Sequence, residues 1–139
     1  DAFEVTLHYA AITVKVGSSP FEAGPTLRYA LQGTKGSYRK YHLDPQEDQL
    51  KAGMSFNAPG WSVAPAPQHG TLYLEDESKP VATLNGGYTT FYRQLATALI
   101  TNNAEALPAS GQSVVAVIRL IELARLASEQ QQTLSVECI

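Results

Sequence analysis

A single cysteine, Cys138, excludes any intrachain disulfide and with it the stapled scaffolds of small secreted domains. Charged residues make up only 17% and the formal net charge is −3, so no basic surplus favours nucleic acid or an anionic membrane. The longest unbroken apolar run, Val114 to Ile118, is five residues, far short of a membrane-spanning helix. No secretory signal pattern is present. Histidine is scarce: His8, His42 and His69 stand far apart, and none has a metal-ligand spacing. No Gly-rich dinucleotide fingerprint, phosphate loop or nucleophile elbow is found. Gly33-Thr34-Lys35-Gly36-Ser37 holds the residue types of a phosphate loop without its spacing, and strand-like sequence follows it.

What is present is globular: 44% apolar residues in a 139-residue chain, enough for one domain with a core. The chain starts at Asp1, almost directly in strand-like sequence, and is read as a piece of a longer protein. Phe3, Val5, Leu7 and Tyr9 alternate with Glu4, Thr6 and His8, which predicts a half-buried strand over 2–9. Ala10-Ala11 reverses the chain into a partner strand over 11–17. Gly17 to Pro25 is turn sequence, with two Gly and two Pro. A third strand runs from Leu27 to Gln32, a tight turn follows at 33–36, and a fourth strand covers 37–41. Asp44 as N-cap and Pro45 at the first helical position start a short helix that Gly53 ends.

Residues 54–69 form a loop anchored by Trp61, the only tryptophan. Leu72 and Leu74, a turn at 75–78 and Val81 to Leu84 predict a further hairpin. After Gly87 the period changes. Phe91, Leu95, Ala98 and Leu99 mark one helix face, ended by Asn102-Asn103. Ser110 caps a second long helix whose apolar face is Val114, Val117, Ile118, Ile121, Ala124 and Leu126, running to about Ser128. Leu134 and Val136 alternate in a short closing strand. The pattern is α+β: a mostly antiparallel open sheet of about six to seven strands with two long helices packed on one face. The other face, with Thr6, His8, Thr13, Lys15, Arg28, Ala30 and Gln32, is left for solvent or a partner.

Chemistry-bearing residues are few. Glu75-Asp76-Glu77 reads as a solvated turn rather than a cation site. Asp44, Glu47 and Asp48 sit in a first helical turn, where the macrodipole favours acids. Arg28, Lys35, Arg39 and Lys40, interleaved with Tyr29, Tyr38 and Tyr41, mimic a single-strand nucleic-acid platform, but alternation splits them between two faces. Residues alone therefore assign no catalytic, cofactor-binding or metal site.

The stretch Gly33-Thr34-Lys35-Gly36-Ser37-Tyr38-Arg39-Lys40-Tyr41-His42-Leu43-Asp44-Pro45-Gln46-Glu47 resembles the C-terminal domain of Gfo/Idh/MocA oxidoreductases, with His42 where that branch has Gly. Tyr88, Phe91 and Tyr92 fit the aromatic start of the family's first long helix; Pro108, Ser110 and Ile121-Glu122 fit its second. The resemblance covers nearly all of residues 1–139. It implies a cytoplasmic NAD- or NADP-dependent dehydrogenase acting on a sugar or polyol, with an N-terminal Rossmann domain that is absent from this chain. The family's catalytic lysine, Asp and His lie before this chain begins. Ser78-Lys79-Pro80 looks like the lysine motif but falls in a hairpin of the wrong domain, so Lys79 carries no such role. The fragment alone is expected to be inactive and to bind no cofactor.

The resemblance also places the Ser18–Gly24 loop and Tyr88 toward the substrate, which makes Phe21, Glu22 and Tyr88 the substrate-side candidates. Expected partners are the chain's own Rossmann domain, a small-molecule substrate, and a second copy docked on the open sheet face. The alternatives are a non-catalytic binding or regulatory domain and a plain dimerisation module.

Overall fold

The computed structural model describes residues 2–136. Among these residues are six strands and three α-helices, in two compact units: 2–20 with 91–136, and Phe21–Thr90.

In the first unit, β1 (Phe3–His8) and β2 (Thr13–Ser18) form an antiparallel two-stranded sheet. The Tyr9 N–H donates to Ile12 O at 2.8 Å and closes the reversal. Register sets Val5 opposite Val16 and Leu7 opposite Val14 on one face, Thr6 opposite Lys15 and His8 opposite Thr13 on the other. Helix α2 (Tyr88–Thr101) enters this unit at Phe91 and ends where Asn102 turns left-handed at φ 48. Helix α3 (Gly111–Gln130) is capped by Ser110, whose hydroxyl accepts from the Ser113 N–H at 3.0 Å, and it stops at Gln131 in a left-handed conformation.

In the second unit, β3 (Tyr29–Gly33), β4 (Gly36–Lys40), β5 (Gly70–Tyr73) and β6 (Ser78–Val81) make a four-stranded antiparallel sheet in chain order. Thr34-Lys35 is the two-residue turn between β3 and β4. Pro80 is tolerated because β6 is an edge strand. Helix α1 (Gln46–Lys51) follows β4. A Cβ at Gly70 would fall on the Tyr38 ring, so only glycine lets that ring lie across β5.

The α+β class and the antiparallel pairing agree with the sequence reading, and four details differ. The strands form two sheets rather than one, because the turn-rich segment 19–28 separates β2 from β3 with no ladder bond between them. The last hairpin sits earlier: its turn covers 74–77, with the Leu74 N–H on Glu77 O, and leaves Leu84 outside, 91% exposed. No strand forms over 134–136; two alternating apolar residues without a neighbouring ladder do not make one. The rest of that segment, with Cys138, lies outside the described residues.

The fourth difference concerns α3. Its more covered positions are Ala116, Leu120, Leu123, Ala124 and Ala127, while Val114, Val117, Ile118 and Ile121 are each more than half exposed. The helix is apolar on two faces, and periodicity picked the one this chain leaves bare. No helix among the described residues is long and apolar enough to cross a membrane.

Candidate functional site

Polar residues of the Gly33–Glu47 stretch anchor two groups of hydrogen bonds in the second unit. Lys40 ends β4 and is only 6% exposed. Its ammonium donates to Gln68 O at 2.8 Å and to Thr83 Oγ1 at 3.2 Å. No carboxylate lies within ion-pair distance of it among the described residues. A buried cation must be hydrogen-bonded to be tolerated, and these two oxygens serve that need.

Helix α1 starts one residue later than expected, with Pro45 in the capping place. Asp44 still caps in effect: its Oδ1 accepts from the Gln46 N–H at 2.9 Å and from Gln46 Nε2 at 2.8 Å. Gln46 is 2% exposed. Its Oε1 accepts from the Tyr88 N–H at 3.0 Å, the first residue of α2. Gly86 packs against the Asp44–Gln46 pair, where a Cβ would overlap both side chains. Gln49, one turn on, donates to Gly60 O at 3.1 Å and accepts from the Ser62 N–H at 2.8 Å, which holds Ser62 at φ 60.

Of the substrate-side candidates, Tyr88 is held by its backbone N–H, and the residue is 48% exposed. A phenol can both donate and accept toward a small molecule. Phe21 is 81% exposed in the irregular segment before β3. Glu22 is exposed there too, with no ion pair among the described residues. No hydrogen bond or ion pair joins Tyr88 to Glu22.

The other residues singled out stand apart. His8 and His42 are exposed, and His69 Nε2 lies 3.3 Å from Ala64 O. Glu75-Asp76-Glu77 forms the β5–β6 turn. Lys79 sits on β6, 4.0 Å from Glu77. Arg39 projects opposite to Lys40 and lies 5.8 Å from the centre of the Tyr73 ring. No group of three metal-ligating side chains occurs among the described residues. The Gly33–Gly36 turn joins two antiparallel strands, so no helix N-terminus backs it and it does not fit a pyrophosphate.

The family profile described as the oxidoreductase family C-terminal alpha/beta domain matches residues 1–137. The chain belongs to the Gfo/Idh/MocA oxidoreductase family. This Gfo/Idh/MocA domain is 32% identical over 143 residues to the scyllo-inositol 2-dehydrogenase (NADP(+)) IolW of Bacillus subtilis, covering 99% of this chain and 39% of that protein. It is 32% identical over 151 residues to an uncharacterized oxidoreductase of Schizosaccharomyces pombe, covering 96% and 41%. Among solved structures, a Yersinia pestis protein aligns with TM-score 0.89 and 31% identity over 100% of this chain and 40% of that one. An oxidoreductase from Bacillus cereus aligns with TM-score 0.76 and 26% identity over 91% and 38%. The chain thus spans about 40% of the length of the curated relatives it matches.

Sequence reasoning missed the roles of Lys40, Gln46 and Gly86. Lys40 was read as one of four basic residues that alternation splits between two faces, and Gln46 carried no chemical signal of its own. The available signal was the motif itself: it holds Lys40, Asp44 and Gln46 without any catalytic spacing, which points to residues that shape the fold around a site.

Proposed function

We propose that this chain is the C-terminal domain of an NAD(P)-dependent dehydrogenase for a polyol or sugar, and that it forms one wall of the substrate cleft. The observation that carries this reading is the match across 99% of the chain to an NADP(+)-dependent scyllo-inositol dehydrogenase. The nicotinamide and the groups that move the proton belong to an N-terminal Rossmann domain. This domain supplies Tyr88, Phe21 and Glu22 on the substrate side, where a phenol and a carboxylate suit the hydroxyl groups of a polyol. The bare face of α3, with Val114, Val117, Ile118 and Ile121, and the exposed apolar residues of the sheets support further burial in the full-length protein or its oligomer.

The test is a turnover assay on the full-length protein with NADP+ or NAD+ and scyllo-inositol, myo-inositol and D-glucose, read by formation of reduced nicotinamide. Oxidation of a polyol is expected, and calorimetry of the present chain with NADPH is expected to detect no binding. No turnover with any of the three, with either cofactor, overturns the reading in favour of a non-catalytic binding domain.

A further inference from the structure

We infer that Gln46 is a positioning residue for the substrate side of the cleft, acting through Tyr88; this rests on the reading of Tyr88 given above. The first four N–H groups of a helix have no intrahelical acceptor and ordinarily find a local cap. Helix α2 has no acidic residue in its first turn. The Tyr88 N–H is instead taken by a side chain 42 residues earlier, at 3.0 Å. That side chain has one orientation. Asp44 can only accept when ionised, so the Gln46 nitrogen must face Asp44 and the Gln46 oxygen must face Tyr88. At 2% exposure the amide has no water to exchange with.

Two further contacts act on the same segment. Gly86 packs where any side chain would collide with the Asp44–Gln46 pair. Lys40 holds Thr83 Oγ1 at 3.2 Å. Residues 83, 86 and 88 are therefore fixed from a single seven-residue stretch, Lys40 to Gln46. All three contacts fall on backbone or short side chains just before the Tyr88 side chain. Such an arrangement fixes the backbone that carries the half-exposed Tyr88 side chain without touching the substrate itself. A rigid placement of this kind acts on substrate affinity and orientation.

The test is a double-mutant cycle in the full-length enzyme, with scyllo-inositol as varied substrate and NADP+ saturating. Gln46→Leu is expected to raise the polyol KM about tenfold, the loss of one or two hydrogen bonds, with the KM for NADP+ unchanged. Tyr88→Phe is expected to do the same. The double variant is expected to be no worse than either alone, because one effect passes through the other. Gln46→Glu loses the donor to Asp44 and sets a second carboxylate against it in a buried place, so it is expected to raise the polyol KM at least as much as Gln46→Leu. Should Gln46→Leu fail to fold, Gln46→Met, closer in length, takes its place in the cycle. If Tyr88→Phe is effective but the two changes multiply to about a hundredfold, Gln46 acts independently and the inference falls while the reading of Tyr88 stands. If Tyr88→Phe leaves the polyol KM unchanged, that reading falls and the inference with it.

Discussion

Replacing Gly86 by alanine isolates the packing of one methyl group against the Asp44–Gln46 pair. Gly86 is not among the glycines with positive φ, so alanine meets no backbone penalty there. The obstacle is steric: the new Cβ would overlap Asp44 Oδ2 and Gln46 Nε2, and Gln46 is 2% exposed with no space to yield. Making room breaks the Gln46 Nε2 bond to the Asp44 carboxylate and the Tyr88 N–H bond to Gln46 Oε1. The first, with a charged acceptor, is worth about 1.5–3 kcal/mol and the second about 0.5–1.5 kcal/mol. Reduced freedom of the unfolded chain returns about 0.4–1 kcal/mol. The net loss is about 1–4 kcal/mol.

Gly87→Ala is the matched control. Its Cβ would meet only Thr90 Cβ at 3.3 Å and Oγ1 at 3.4 Å, so the expected change is within about 0.5 kcal/mol. Urea unfolding of the chain, followed by the fluorescence of Trp61, compares the two. With a slope near about 2 kcal/mol per molar urea, Gly86→Ala lowers the midpoint by roughly 0.5–2 M. Equal midpoints for the two variants would refute the packing argument.

Thr83→Val leaves buried Lys40 with Gln68 O as its remaining hydrogen-bond partner among the described residues and is expected to cost about 1.5–3 kcal/mol in the same assay; a loss under about 0.5 kcal/mol would show that the Thr83 bond contributes nothing. On the exposed side of α1, the Lys51 ammonium, 2.7 Å away, holds the Glu47 carboxyl below the usual glutamate range, first by hydrogen bond and then by charge. Glu47 in turn raises Lys51, mainly through the same hydrogen bond. The Glu47 contribution is therefore full above the ordinary glutamate value and is lost as pH falls through the lowered one. The Lys51 contribution is full below the ordinary lysine value and is lost as pH rises through the raised one. Carboxyl NMR titration should place the Glu47 midpoint low and move it up in Lys51→Met; an unmoved midpoint contradicts the pairing.

How far the sequence could be read follows from where each signal resides. Alternation from Phe3 to Val16 and the Ser110 cap are local, and β1, β2 and α3 begin where local chemistry puts them. The turn at Thr34-Lys35 is local too. Which strands share a sheet is not local, and the division into two sheets was invisible. The helix α3 carries apolar residues all round, so periodicity could not say which face this chain would cover. The same limit applies to the site. Tyr88 could be named from resemblance, but the Gln46 amide that holds it lies 42 residues away, and no spacing rule reaches so far. Phe21 and Glu22 were named because the resemblance brings their loop toward the substrate, and the structure leaves both exposed.

The bond from Tyr88 to Gln46 also bears on the order of folding. A local cap forms as soon as its helix does, but this one closes a loop of 42 residues that contains β5 and β6. Closing it carries a loop-entropy cost that the intervening hairpin must first offset. The first turn of α2 should therefore become ordered late, with the completion of the four-stranded sheet, and its amide should exchange only when that unit opens. A helix start that ordinarily frays becomes a reporter of whether the unit before it is intact.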